Sequence, residues 1–135
     1  MGYIMGRKNG LSASLEDYIE AIFCILAKKK AVRAKDIAER MNVSRPSVTG
    51  ALQALVKEGM VNHEPYDVIT LTDAGRKAAS DVVSRHEVLQ DFLVSVLNVE
   101  EEEAASAACA MEHAVPKKIV DKLVKFVENM KDKKQ

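Results

Sequence analysis

The sequence predicts a mainly α-helical protein built in two parts, the first with a basic segment and the second with an acidic one. Apolar residues recur at helical spacing through most of the 135 residues, and aromatic residues make up only 4% of the chain. The stretch MVNHEPYDVITLT at 60–72 has β-prone ends around a polar middle, which indicates a β-hairpin. Eight Lys or Arg residues lie between Lys28 and Lys57, whereas 86–113 holds seven acidic residues and no Lys or Arg. We therefore expect a first domain with a basic segment and one hairpin, followed by a helical domain with an acidic segment.

Six helices are predicted from this periodicity and from residues that begin and end helices. Ser14 and Ser44 can cap the first and third helices, and Pro46 suits the first turn of the third. Gly59 ends the third helix and Asn98 the fourth. The predicted helices span about 14–28, 34–41, 44–58, 72–97, 99–113 and 116–130. The predicted division is a flexible arm at 1–11, a first domain at 12–75 and a helical domain at 76–135.

The first domain has the pattern of a winged helix-turn-helix, with the hairpin as a small β wing. In AKDIAERMNVSRPSVTGALQALVKEGMV at 34–61, Val48, Leu52 and Leu55 hold the third helix against the core. The start of that helix then faces outward and can enter the major groove of double-stranded DNA. The candidate DNA-contacting residues are Arg33, Lys35, Ser44, Arg45, Pro46, Ser47 and Thr49. The alternative is an interaction module that never contacts DNA, and the local positive charge argues against it.

A metal site is indicated by CAMEH at 109–113. Its Cys, Glu and His stand at positions i, i+3 and i+4, so on a helix Cys109, Glu112 and His113 share one face. Thiolate and imidazole ligands favour a transition metal over magnesium or calcium. Three ligands leave coordination positions open, so further ligands must come from elsewhere. Taken alone, Cys109 is better explained as a small core residue than as a ligand.

Further candidate ligands lie outside that pentapeptide. Asp17 and Glu20 are three residues apart on the first helix and share a face, and His86 lies in the long fourth helix. Each has a structural alternative. Asp17 can complete a capping box with Ser14, and His86, between Arg85 and a glutamate, can be an ordinary surface residue.

The chain resembles the diphtheria toxin repressor and manganese transport repressor family, the DtxR/MntR metalloregulators. The resemblance covers about 12–130 and rests on LEDYIEAIF at 15–23, DIAERMNVSRPSVTGALQALVKEGMV at 36–61, LTDAGRKAA at 71–79, SRHEVLQDFL at 84–93 and CAMEH at 109–113. It implies a homodimer that binds a double-stranded DNA operator when it holds metal, and so represses genes of metal uptake. It also implies a short form without the SH3-like domain of longer members. The ligand positions that it implies are Asp17, Glu20, His86, Cys109, Glu112 and His113.

Two ligand patterns of this family are mixed in the sequence. The resemblance implies that manganese-type members have Asp17 and Glu20, as here, but a Glu where Cys109 stands, whereas iron-type members have this Cys. Because a thiolate favours iron over manganese, we expect Fe(II) as the cofactor, with Mn(II) as the alternative. The second site of iron-type members keeps only His86 here, since Gln90 and Ala105 occupy its other helix positions. One metal or two per subunit therefore both remain open.

Other classes of protein fit the sequence less well. The chain has no phosphate-binding glycine loop and no legible nucleophile and base, so we expect neither an enzyme nor a small-molecule substrate. It has no apolar run of about 20 residues, and so no membrane segment is expected. Two cysteines make no disulfide framework, which favours the cytoplasm. The rival hypothesis is a metal-independent, MarR-like winged-helix dimer that senses a small molecule.

Overall fold

The computed structural model describes residues 10–133, which form α-helices and one antiparallel hairpin. The predicted fold class, a winged helix-turn-helix followed by a helical domain, is confirmed. The elements are α1 (Ala13–Leu26), α2 (Ala34–Met41), α3 (Arg45–Lys57), β1 (Val61–Glu64), β2 (Val68–Leu71), α4 (Asp73–Ser95), α5 (Glu101–Met111) and α6 (Lys117–Lys133). No helix within 10–133 is both long enough and apolar enough to cross a membrane.

Two compact units divide the chain. The first is Leu11–Asp81, and the second includes 82–133 of the described residues. Helix α4 begins in the first unit and ends in the second. Residues 1–9 of the predicted flexible arm at 1–11 lie outside the described residues. Its last residue, Leu11, is 1% exposed and packs into the core of the first unit.

The core of the first unit is formed by one face of each of its helices and by the inner face of the hairpin. Helix α3 contributes Val48, Leu52 and Leu55, the three residues that the sequence predicts to hold this helix down. The strands pair with Val61 opposite Leu71, and both side chains are buried. The remaining large buried residues of this core include Ile19, Ile22, Val32, Ile37 and Ile69. This packing fixes the outer face of α3 relative to the hairpin.

The cap of α1 differs from the prediction. The hydroxyl of Ser12 accepts the Leu15 backbone N–H at 3.1 Å, so Ser12 and not Ser14 is the N-cap. Because Ser14 lies inside the helix, the proposed capping box between Ser14 and Asp17 is wrong. The predicted end of α2 is confirmed, since Asn42 adopts a left-handed conformation with φ of 56°.

The start of α4 packs closely against the segment between α3 and β1. Thr72 accepts the Gly75 backbone N–H at 3.0 Å, and its hydroxyl donates to the Gly59 carbonyl at 2.6 Å. A Cβ atom added at Gly75 would lie 1.8 Å from the Met60 carbonyl oxygen. Only glycine therefore allows this approach between the helix and the backbone of Met60.

We expect Gly75→Ala to lower the free energy of unfolding by about 1–3 kcal/mol, because the Met60 backbone must move to admit the methyl group. Gly50→Ala is the matched control, since Gly50 lies in α3 with nothing within 4 Å of its added Cβ. Replacing that helical glycine should stabilise the protein by about 0.5–1 kcal/mol. Urea unfolding at one fixed protein concentration measures both. If both substitutions changed the free energy of unfolding equally, the close approach of Gly75 to the Met60 backbone would be contradicted.

The second unit contains the end of α4 with α5 and α6. Phe92 of α4 meets Phe126 of α6 edge-to-face, with ring centroids 6.1 Å apart. Lys131 Nζ lies 2.7 Å from Asp91 Oδ2, and α6 continues past the predicted end near residue 130. The pKa of Asp91 is lowered, chiefly by its hydrogen bond from Lys131. The last helix is therefore joined to α4 by both apolar and charged contacts.

Candidate metal centre and nucleic-acid interface

The CAMEH segment is only partly helical. Helix α5 ends at Met111, Glu112 is its C-cap, and His113 follows in a turn. Cys109 thus lies in the last turn of the helix and Glu112 at its end. The Cys109 Sγ atom and a carboxylate oxygen of Glu112 lie within 4.8 Å of each other. Cys109 is exposed, so its interpretation as a small core residue is wrong.

Glu112 lies at the centre of the cluster. Its Oε2 atom is 2.8 Å from Nδ1 of His86, and its Oε1 atom is 3.3 Å from Nε2 of His113. The Glu112 side chain is fully buried, while the side chains of His113 and His86 are 9% and 24% exposed. The interpretation of His86 as an ordinary surface residue is therefore wrong. Residues from α4 and from the end of α5 meet on one carboxylate.

This group of side chains is suited to a divalent transition metal. A buried carboxylate is costly unless a positive charge or hydrogen bonds compensate it, and a divalent cation supplies such a charge. Two imidazoles and one thiol provide nitrogen and sulfur donors, which suit iron and zinc better than magnesium or calcium. The His86 ring is held by Glu112, which fixes its orientation. The donor set of the second unit alone thus offers four candidate ligands.

The remaining two predicted ligands belong to the first unit. Asp17 and Glu20 lie three residues apart on α1, and both are half-buried. Their part in a metal site remains a prediction. Glu16, which the sequence does not mark as functional, is fully buried on the same helix. The signal for Glu16 is its position three residues before Ile19, on the apolar face of the helix.

All seven predicted DNA-contacting residues are exposed. The Ser44 hydroxyl accepts the Ser47 backbone N–H at 3.2 Å, which confirms Ser44 as the cap of α3. Thr49 donates its hydroxyl to the Arg45 backbone carbonyl at 3.1 Å. Their role in DNA binding stays a prediction. The exposed set is Arg33, Lys35, Ser44, Arg45, Pro46, Ser47 and Thr49.

The start of α2 lies beside the turn of the hairpin. Asp67 accepts the Ala34 backbone N–H at 3.1 Å. Burial raises the pKa of Asp67, but the hydrogen bonds with His63 and Ala34, and to a smaller extent the charge of Arg45, leave it lowered. Asp36 accepts the Arg33 backbone N–H at 2.9 Å, and this bond is the main reason why the pKa of Asp36 is lowered. The sequence did not mark the turn as functional. The N-terminal end of α2 and the hairpin turn therefore lie side by side.

Comparison with known proteins assigns both units. The model of the N-terminal DNA binding domain of the iron dependent repressors matches 10–69, and that of their metal binding and dimerisation domain matches 72–135. An HTH-type transcriptional regulator of Methanocaldococcus jannaschii is 35% identical over 124 residues, which are 91% of this chain and 99% of the relative. The regulator MntR of Lysinibacillus sphaericus is 36% identical over 88% of this chain and 85% of its own length.

Solved structures agree with these relatives. A manganese-dependent transcriptional repressor in complex with manganese superposes with a TM-score of 0.78 and is 31% identical. That similarity covers 84% of this chain and 52% of the solved chain, so this chain spans about half the length of that repressor. The predictions of a DNA-binding, metal-dependent homodimer and of a protein that is not an enzyme are confirmed. The chain belongs to the family of iron-dependent transcriptional repressors.

Proposed function

We propose that this protein represses genes of metal uptake by binding their operators as a homodimer when its metal site is filled. The observation that carries the proposal is the buried Glu112 carboxylate, which is hydrogen-bonded to His86 at 2.8 Å and lies 3.3 Å from Nε2 of His113, with the Cys109 thiol close by. These four residues lie in the part of the chain that matches a metal binding and dimerisation domain. The matching models of iron dependent repressors and the similar manganese-dependent repressor support a role in iron or manganese balance. In this proposal, 12–75 reads DNA, while 76–135 binds metal and dimerises.

The proposed ligands are those of the resemblance: Asp17, Glu20, His86, Cys109, Glu112 and His113. Asp17 and Glu20 are supported by their shared face on α1 and by the loss of the capping alternative for Asp17. Since α1 belongs to the DNA-reading unit, ligands on both units link metal affinity to the DNA-competent arrangement. Such linkage is the thermodynamic basis of allosteric activation.

We propose Fe(II) as the physiological metal, with Mn(II) as the alternative. The Cys109 thiolate favours iron, whereas the carboxylates of Asp17, Glu20 and Glu112 suit manganese equally well. A relative that was solved with manganese supports the alternative.

The test is DNA binding by the full chain under anaerobic conditions, which protect the thiol. Duplexes are first selected from a random-sequence library on Fe(II)-loaded protein. Their affinity is then measured by fluorescence anisotropy with Fe(II), with Mn(II) and with a chelator. We expect metal to raise the affinity about 10- to 100-fold. Equal affinities with metal and with chelator would contradict metal activation and favour a metal-independent regulator.

Arg45→Ala separates the DNA surface from the metal site in the same assay. Arg45 lies at the exposed start of α3, and loss of one good contact to a base typically costs about tenfold in affinity. Metal affinity should stay at the wild-type value, because the candidate ligands lie elsewhere. A variant that lost metal affinity as well would show that Arg45 acts through the fold.

A further inference from the structure

The turn of the hairpin carries an exposed aromatic residue on an unusual backbone. Tyr66 is 91% exposed, and its φ of 67° and ψ of 24° lie in the left-handed region. Asp67, the next residue, also has a positive φ, of 64°. This region is disfavoured for residues with a side chain, and a bulky residue there is a true outlier. Backbone of this kind persists where its surroundings hold it, and it clusters at functional sites.

Asp67 holds the turn from two directions. Its Oδ1 atom lies 2.6 Å from Nε2 of His63 on β1, and its Oδ2 atom accepts the Ala34 backbone N–H at 3.1 Å. Partial burial raises the pKa of Asp67, but the bonds from His63 and Ala34 outweigh it and leave the pKa lowered. The carboxylate therefore stays ionised, and the turn is anchored both to its own hairpin and to the start of α2.

The anchored turn lies on the surface that carries the candidate DNA contacts. Ala34 is the first residue of α2, and the Ile69 backbone N–H donates to the Val32 carbonyl at 2.8 Å just before it. The charge of Arg45, at the start of α3, also acts on Asp67. The exposed side chains of Arg33 and Lys35 flank the same helix start. Tyr66 therefore precedes a residue that contacts the start of α2, where two candidate DNA-contacting residues are exposed.

We propose that Tyr66 is a further DNA-contacting residue, and that Asp67 is the residue that positions it. With α3 in the major groove, the phenol of Tyr66 donates to a backbone phosphate at the neighbouring minor groove, and its ring packs against the adjoining sugar. Both oxygens of the Asp67 carboxylate are engaged within the protein, one with His63 and the other with the Ala34 backbone N–H. This contact is to the backbone and so carries no sequence information. The inference rests on DNA binding through α3.

The first test compares Tyr66→Ala with Tyr66→Phe in metal-loaded full-length protein. Affinity is measured both for the selected duplex and for a random-sequence duplex. We expect Tyr66→Ala to lower the affinity for both duplexes about tenfold. A loss of this size corresponds to one hydrogen bond to a charged group together with its packing. Tyr66→Phe keeps the ring, so its DNA affinity should lie between those of Tyr66→Ala and the wild type. Val56→Ala, at an apolar position 45% exposed near the end of α3, is the control and should not change affinity.

Three outcomes of this comparison overturn the inference. They are wild-type affinity of Tyr66→Ala, an equal loss with Val56→Ala, and a loss confined to the selected duplex. Arg45→Ala distinguishes this failure from failure of the proposed function. If Arg45→Ala weakens binding and Tyr66→Ala does not, only the role of Tyr66 is wrong. If neither variant weakens binding, the whole surface is wrongly assigned.

The second test asks whether Asp67 acts through Tyr66. We expect Asp67→Ala to weaken DNA binding by about as much as Tyr66→Ala, and the double variant to be no weaker than either, because the residues act as a unit. His63→Ala removes one of the two anchors and should cause a smaller loss. Additive losses in the double variant would assign Asp67 a separate, structural role and overturn the positioning inference. Thermal unfolding of each variant identifies any general loss of fold.

Discussion

Replacing Glu112 by Gln should abolish the metal response of DNA binding while the protein stays folded. Glu112 lies within hydrogen-bonding or ion-pair distance of both His86 and His113, and its side chain is fully buried. Gln has nearly the same volume, so the substitution leaves no cavity. It removes the negative charge on which the cluster is centred, together with one of the oxygen ligands. We expect metal affinity to fall at least about 100-fold, beyond the effect of losing a residue that only supports a ligand.

Glu103→Gln provides the matched control for this substitution. Glu103 lies in the first turn of α5 and is exposed, so it loses the same charge in the same helix without touching the cluster. Metal titration by competition with a chelating dye reports affinity, and anisotropy reports DNA binding. Thermal unfolding of the metal-free proteins tests the fold. If Glu112→Gln responded to metal like Glu103→Gln, Glu112 would be a structural carboxylate and the proposed site would be wrong.

The winged helix-turn-helix could be predicted from sequence because its signals are local. Helix α2 has the predicted bounds, since its apolar spacing starts at Ala34 and Asn42 ends it with a left-handed residue. The cap of α1 was misplaced because Ser12 and Ser14 are chemically equal candidates. The choice between them is made by Leu11, which packs into the core immediately before the helix. No periodicity of the helix itself reports that anchor.

The metal cluster could be predicted only in part. Spacing alone put Cys109, Glu112 and His113 on one helical face, yet the helix ends at Met111. The contact of His86 with Glu112 joins residues 26 positions apart, and no helical period can reveal it. The resemblance supplied that pairing. His86, which has the sequence neighbours of a surface residue, therefore joins a buried polar cluster through tertiary packing.

The sequence predicts the hairpin, but it does not predict the left-handed backbone of the turn, because the turn contains no glycine. Turns with positive φ usually reveal themselves through Gly or Asn, whereas here Tyr66 and Asp67 adopt that conformation. The side-chain bond from His63 to Asp67 and the bond to the start of α2 stabilise it instead. These contacts depend on how the hairpin docks against α2.

Replacing Cys109 by Glu should shift the preference of the site from iron towards manganese. Cys109 is exposed at the end of α5, so a larger side chain can be placed there without displacing a core. Its sulfur lies within 4.8 Å of a Glu112 carboxylate oxygen, so the new carboxylate can reach the same ion. An oxygen donor in place of a thiolate weakens iron binding more than manganese binding. We expect the ratio of Fe(II) to Mn(II) affinity to fall about tenfold or more, with Mn(II)-dependent DNA binding retained.

Cys109→Ala separates loss of a ligand from change of a ligand, since it should weaken the binding of both metals. The other cysteine of the chain, Cys24, lies half-buried in α1. Cys24→Ala is therefore the control, and it should leave the ratio of Fe(II) to Mn(II) affinity unchanged. In the Cys24→Ala background, Cys109 is the only thiol left to react with iodoacetamide, and bound metal should protect it, because a coordinated thiolate is a poor nucleophile. Equal alkylation with and without Fe(II) would show that the sulfur does not bind the metal. An unchanged metal ratio in Cys109→Glu would then assign the preference to the carboxylates and imidazoles alone.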